Sequence, residues 1–252
     1  MKTQYPITAI VLTLNEEKNI ERCLSSLAFV DEILVCDSGS IDNTENMVSL
    51  YPNAIFRKIQ WKGYAQTKQE ALEIAKNNWI IWLDADEKIT KKSRKEIVEE
   101  VIINKYDILK IPRQTYFIDS FMYYGGWYPD YQMRIFKKDK ARFDDSMVHE
   151  SIVPVEGAAI KELYFPLKHY SFYTVDQYKA KQKKYAQLFA EDLIKRNKKP
   201  SFFKRFLSPV WAWLQSFIFK FGFLEGKNGL TIANGAAQYT YWKYQLYFEK
   251  KK

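Results

Sequence analysis

Cysteine and histidine are scarce in this chain, with two of each among 252 residues. Cys23 and Cys36 form no metal or redox spacing, and their apolar neighbours suit thiols that stay reduced. Glycine is sparse as well, nine in all. None of these glycines builds the phosphate-cradling loops of dinucleotide-binding or P-loop proteins. There is no internal repeat, and no signal peptide is expected, because Met1-Lys-Thr-Gln-Tyr5 leads directly into a strand pattern. Positive charge is plentiful: 39 Lys and Arg stand against 30 Asp and Glu, a net +9. An anionic partner is therefore expected. No helix-turn-helix, zinc or RNA-recognition signature accompanies the charge, so that partner is not nucleic acid.

Three apolar runs read as buried strands: Ile7 to Leu14, Asp31 to Cys36 and Trp79 to Leu83. Each ends in polar residues, and helical patterns separate them. The pattern is a βαβαβ nucleotide-binding half that brings Thr13 to Glu16, Asp37 to Asp42 and Asp84 to Asp86 to the carboxyl ends of strands, where open α/β sheets take their ligands. The third end is the most informative. Asp84-Ala-Asp86 places two carboxylates on one face of an extended segment. Like charges so close are unfavourable without a cation, and an all-oxygen set suits Mg²⁺ or Mn²⁺ with waters and a diphosphate completing the shell. Asp42 and Thr44 are candidate caps for the helix that begins near Glu45.

Taken together, Leu12-Thr-Leu-Asn-Glu16, the block Val30 to Thr44, Gly63 to Ala71 and Trp82-Leu-Asp-Ala-Asp-Glu87 closely resemble glycosyltransferase family 2, inverting enzymes of GT-A fold that use sugar nucleotides. Gly126 to Phe136, Val148-His-Glu150, Leu167 to Ser171 and Gly222 to Gly229 are similar to a subgroup of β-1,4-glucosyltransferases that extend the lipopolysaccharide inner core. The resemblance implies a nucleotide-sugar pocket formed by Thr13, Asn15, Glu16, Asp37, Lys68 and Asp84, with Asp37 at the uracil. It implies metal ligation by Asp86 and, because GT-A enzymes often recruit a histidine from beyond the core, by His169 following a strand Leu163 to Leu167. His149 is the alternative. Lys68 stands where many members carry arginine, and it keeps the charge without the bidentate fork.

Inverting transfer needs a carboxylate within reach of the acceptor hydroxyl, opposite the departing diphosphate. Position within the family pattern favours Glu150, with Asp130, after Pro129 and among aromatics, as the rival. The implied reaction moves a hexose, glucose from UDP-glucose, onto a lipopolysaccharide or lipooligosaccharide core sugar. Another UDP-sugar with another envelope glycan, or a catalytically silent sugar-nucleotide-binding protein, are the alternatives.

The last third of the chain reads differently. A Lys-rich helix from Tyr178 to Asn197 precedes a segment crowded with Phe202, Phe203, Phe206, Trp211, Trp213, Phe217, Phe219 and Phe221, interleaved with Lys204, Arg205 and Lys220. The uncharged stretch between Arg205 and Lys220 is too short to span a bilayer, whereas Trp, Phe and Lys together suit a helix lying in the headgroup zone. Pro209 is expected to open a new helix. The expected organisation is α/β: a Rossmann-like mixed sheet flanked by helices over residues 1–170, then a helical, aromatic-rich, membrane-associating extension over 171–252. The protein is expected to be cytoplasmic and peripheral on the inner face of the cytoplasmic membrane, with a glycolipid acceptor.

Overall fold

The computed structural model describes residues 4–59, 64–143 and 152–250, with backbone alone for residues 64–68. Two compact units divide the chain. One comprises Met1–Arg113 and Asp130–Tyr170, the other Gln114–Pro129 and Ser171–Lys252. Residues 114–129, inside the stretch expected to form the first domain, thus fold with the C-terminal residues.

The first unit opens with β1 (Tyr5–Thr13), α1 (Ile20–Ser26), β2 (Val30–Asp37), α2 (Thr44–Val48), β3 (Ala54–Lys58), α3 (Tyr64–Glu73) and β4 (Trp79–Asp84). After these come β5 (Glu87–Lys88), α4 (Lys91–Ile103), β6 (Ile108–Phe117), β7 (Ser120–Phe121), β8 (Asp130–Lys137), β9 (Ala141–Phe143), β10 (Ile152–Pro154), β11 (Ile160–Glu162) and β12 (Leu167–Phe172), of which β7 and the C-terminal ends of β6 and β12 are counted with the second unit. The main sheet has the order β3-β2-β1-β4-β8-β6-β12-β5, parallel from β3 to β4 and antiparallel where β4 meets β8 and β8 meets β6. Strand order reverses beside β1, and register sets Thr13 opposite Asp37 and Leu12 opposite Asp84. That is the switch-point crevice of an open α/β sheet.

Period-2 alternation in the apolar strands feeds a core on each face. Ile7, Ala9, Val11, Ile33, Val35, Ile81 and Leu83 pack with Ile20 and Leu24 of α1 and Ile97 of α4. On the opposite face Ile10, Leu34, Ile80 and Trp82 meet Ala71 and Leu72 of α3 and Phe136 of β8. The charged segment after Asp86 becomes helical only at Lys91. Glu87 and Lys88 are spent on β5, and Thr90 caps the helix in a reciprocal pair with Ser93. Asn43 holds the cap position of α2 without a side-chain bond to the helix backbone, while Asp42 accepts the N–H of Thr44 at 3.0 Å.

The second unit contains α5 (Val175–Lys195), α6 (Lys204–Leu214), a π-helical turn Gln215–Phe219 and α7 (Gly226–Lys250). Phe117, Met122, Phe172, Tyr178 and Ile232 form its buried cluster. A Cβ at Gly235 of α7 would lie 2.3 Å from the Tyr178 ring, so this position admits only glycine. α6 runs through Pro209 without a break, a difference from the expected restart. Because this helix buries none of its residues, water can satisfy the carbonyl that the missing proline N–H leaves free. The expected aromatic cluster divides in two. Trp213 donates its indole N–H to Asn234 at 3.0 Å and stacks on Phe217 at 4.8 Å, while Phe203, Leu207, Val210, Trp211, Phe219 and Phe221 are each more than half exposed. No helix among the described residues is long and apolar enough to cross a membrane. Charge is unevenly shared between the units. The second carries 16 Lys and Arg against 6 Asp and Glu, a net +10, and the first is close to neutral.

Candidate functional site

All groups described in this section belong to the first unit. β1 ends at Thr13, whose side chain is buried and whose hydroxyl has no hydrogen-bond partner among the described residues. Asn15 follows with φ +55°, a left-handed conformation that asparagine tolerates. It ties two loops together, accepting the N–H of Ile41 at 2.9 Å and donating its own backbone N–H to Ser40 Oγ at 2.8 Å. Asp37, fully buried at the tip of β2, accepts the N–H groups of Gly39 and Ser40 at 2.9 and 2.8 Å and the Ser40 hydroxyl. Gly39, at φ +110°, makes that tight loop possible. The carboxylate of Asp37 therefore shapes its own loop and retains only spare lone pairs for a ligand. Glu16 accepts the Asn19 amide at 2.8 Å. Burial raises its pKa, partly offset by that hydrogen bond, and the charges of Asp86, Asp42 and Asp84 push it further the same way.

At the tip of β4, Asp84 is joined by Arg134 of β8, whose Nη2 also reaches Glu87 Oε1 at 2.6 Å. Desolvation works to raise the pKa of Asp84, but the charge and hydrogen bond of Arg134, together with the charges of His169 and Arg113, leave it lowered. For Glu87, burial dominates, with Asp84 adding to it, and its pKa is raised despite Arg134. Burial disfavours the charge on Arg134, yet the two carboxylates hold it firmly protonated. Asp86 does not continue the extended run of Asp84 but stands in the turn between β4 and β5: its Oδ2 lies 3.2 Å from His169 Nε2, and its carbonyl accepts the Tyr170 N–H at 2.9 Å. The Arg22 guanidinium stacks 3.7 Å from the centre of the Tyr170 ring. His169 lies within β12, paired in register with Glu87 of β5, and not after a strand ending at Leu167. Register across an antiparallel pair, invisible in local sequence, brings it to Asp86.

Asp86 and His169 are the candidate ligands for a divalent cation at these strand ends. Neighbouring ligands around an octahedral ion with bonds of about 2.1 Å sit about 3 Å apart, the separation found between Asp86 Oδ2 and His169 Nε2. No group of three or more His, Cys, Asp or Glu residues able to hold a metal occurs among the described residues. An ion there would complete its shell from water and a substrate diphosphate, the usual habit of Mg²⁺. Asp130, at the start of β8, has both oxygens engaged: Arg113 donates to Oδ2 at 2.9 and 2.6 Å, and Gln132 to Oδ1 at 2.7 Å. Glu150 and His149 lie outside the described residues. Lys68 falls within α3, and its side chain is also outside them.

The sequence alone points to no role for Arg134, Arg113, Glu87, Arg22 or Tyr170. One signal was available for Arg134: a cation set within the apolar stretch Met133 to Phe136 of β8 must find a buried partner.

A profile of Glycosyl transferase family 2 matches residues 8–153. Along its length the chain is similar to the lipopolysaccharide core biosynthesis glycosyltransferase LpsC of Rhizobium meliloti (strain 1021), 31% identical over 265 residues that cover 98% of this chain and 96% of that protein. It is 29% identical to an uncharacterized glycosyltransferase of Rickettsia bellii (strain RML369-C), covering 88% of this chain and 79% of the relative. Among solved structures, the mannosyltransferase PcManGT from Pyrobaculum calidifontis, in complex with GDP-Man and Mn²⁺, superposes with a TM-score of 0.58 at 13% identity, covering 99% of this chain and 88% of that one. That likeness extends to the fold. A mixed sheet ending in paired carboxylates, a family profile over more than half the sequence and a full-length relative lead to one assignment: the chain belongs to glycosyltransferase family 2 and has the GT-A fold.

Proposed function

We propose that this glycosyltransferase moves a hexosyl group, glucose from UDP-glucose, onto a sugar of the lipopolysaccharide or lipooligosaccharide core, with inversion at the anomeric carbon. The observation that carries the donor side is the Asp86–His169 pair beside Asp84 at the ends of the parallel strands. The acceptor side rests on the full-length relative named for lipopolysaccharide core biosynthesis. The open hydroxyl of buried Thr13, in register with Asp37, supports a nucleotide seated over β1 and β2. Asp86 and His169 would hold Mg²⁺ or Mn²⁺. When bound, the cation supplies positive charge against the departing diphosphate.

The remaining work falls to the chain's own residues. Arg134 keeps Asp84 ionised and oriented. Glu150 takes the proton of the acceptor hydroxyl as its oxygen bonds to the anomeric carbon, and the carbon–oxygen bond to the diphosphate breaks with its electron pair leaving on UDP. Asp130 is the less suitable base, since each of its oxygens already accepts a side-chain donor.

The glycolipid acceptor lies in a membrane, and the second unit is suited to that surface. Its net charge of +10 and its half-exposed aromatic residues favour an anionic leaflet. We place the protein at the cytoplasmic face of the cytoplasmic membrane as a peripheral enzyme. The test is release of UDP from UDP-glucose with Mn²⁺ and a truncated core acceptor. Asp86→Asn is expected to keep the fold and lose at least about a hundredfold in turnover, through lost charge stabilisation at the diphosphate. Near-normal activity insensitive to EDTA in that variant would falsify the metal assignment. Release from a different UDP-sugar alone would move the donor, and binding without release would remove the catalytic reading.

A further inference from the structure

Glu87 takes no part in the reaction as described above. Its side chain is fully buried, so no substrate touches it. Both of its oxygens are nevertheless engaged at the heart of the site. Oε2 accepts the N–H of Asp84 at 3.2 Å and closes the four-residue turn on which Asp84 and Asp86 stand. Oε1 accepts Arg134 Nη2 at 2.6 Å and lies 3.7 Å from Arg113 Nη1. The same Nη2 of Arg134 holds the carboxylate of Asp84, and the other nitrogens of Arg113 hold Asp130. Asp84, Arg134, Glu87, Arg113 and Asp130 make a ladder of alternating charge. Glu87 is the rung without solvent.

Burying a carboxylate is unfavourable even when it is paired, and a well-packed apolar side chain in its place is often neutral or better for stability. Stability is therefore a poor account of this charge, and geometry is a better one. Glu87 contacts Asp84 twice, directly at the backbone and through Arg134 at the side chain. It is also the in-register neighbour of His169 across β5 and β12. We propose that Glu87 is a positioning residue for donor binding: it fixes the turn and, through Arg134, the Asp84 carboxylate, so that Asp84 and Asp86 meet the metal-bound diphosphate in one arrangement. This inference rests on the donor-site reading above.

Glu87→Gln preserves shape and removes the charge. Asp84 N–H and Arg134 are both donors, so a glutamine can offer its oxygen to only one and must turn its NH₂ against the other. The measurement is calorimetric binding of UDP to the full-length protein with and without Mn²⁺, on the parent, Glu87→Gln, Arg134→Gln and the double variant. Parent protein that binds no UDP in Mn²⁺ overturns the donor-site reading and this inference with it. Where the parent binds, Glu87→Gln and Arg134→Gln are each expected to weaken Mn²⁺-dependent UDP binding about tenfold or more. The double variant should lose no more than the worse single one, as expected of two groups acting as a unit. A Glu87→Gln protein that melts at lower temperature but binds UDP and Mn²⁺ like the parent makes the residue structural only. Simple addition of the two losses also defeats the proposal. If Glu87→Gln does not fold, the double variant, which leaves neither charge buried alone, is compared with Arg134→Gln. A further loss in the double variant then counts against the coupling, and equal affinity supports it.

Discussion

Membrane attachment by the second unit can be tested with three substitutions chosen for their exposure. Leu207 is 70%, Trp211 57% and Phe219 60% exposed, and Trp211 and Phe219 rest against each other with ring centres 5.6 Å apart. Full burial of such side chains is worth about 1.5–3 kcal/mol each. Scaling by the exposed fraction, and allowing for partial burial among headgroups, leaves about 2–4 kcal/mol for the three together. Leu207→Ser, Trp211→Ser and Phe219→Ser combined should therefore lower the partition coefficient onto vesicles by roughly 30- to 1,000-fold. Lys204, Arg205 and Lys220 add about 1 kcal/mol each on an anionic leaflet, so binding of the parent should weaken as salt rises. The assay is co-sedimentation with vesicles of mixed zwitterionic and anionic lipid at low and high salt, with circular dichroism and UDP binding as controls. None of the three residues is buried, so the thermal melt should be unchanged. Equal sedimentation of parent and triple variant, or a parent that ignores anionic vesicles, would show that these side chains do not dock on lipid. Trp213 and Phe217 are unsuitable for this test, because one is hydrogen-bonded to Asn234 and stacked on the other.

Three other outcomes are expected. Glu150→Gln should bind UDP-glucose normally and lose transfer by about two to four orders of magnitude, with Asp130→Asn milder; the opposite ranking in folded proteins would make Asp130 the base. Glu16 has a raised pKa in the folded state, so the native protein binds its proton more readily than the unfolded chain, and stability is lost as pH rises through that value. Glu16→Gln should accordingly raise Tm at pH 7, with the advantage over the parent shrinking as the pH falls toward 4; an advantage independent of pH would contradict this account. Gly235→Ala should lower Tm through its clash with Tyr178, and Gly235→Ala/Tyr178→Leu should recover part of the loss.

The fold was legible wherever a local pattern carries the information. β1, β2 and β4 announce themselves as apolar runs, and the burial of Ile20, Leu24 and Leu27 follows from their spacing around a helix. The strand tips bearing Thr13, Asp37 and Asp84 could be located from the same runs. What could not be read was what meets those tips from far along the chain. Arg134 and Arg113 reach Glu87 because β8 pairs antiparallel with β4 and β6, and no local period encodes that pairing. His169 was expected to follow a strand, yet it sits inside one, where Leu167, His169 and Phe172 are buried and Lys168, Tyr170 and Ser171 are less so. Pro209, expected to open a new helix, lies inside α6, which continues to Leu214. The partition of Trp211 from Trp213, two residues apart on one helix, depends on where α7 lies against it.

The segment 114–129 has a consequence for how the protein is made. Its Phe117, Met122 and Trp127 pack against Phe172, Tyr178 and Ile232. These partners lie later in the chain, and Ile232 leaves the ribosome more than a hundred residues after Phe117. A domain emerging from the ribosome normally folds as a unit once its residues are out. Here a loop translated near the midpoint must wait, its aromatic side chains uncovered, until α7 is complete. A fragment ending at residue 170 would keep those side chains without their partners. It is therefore a candidate for aggregation or chaperone capture and not a free-standing catalytic domain.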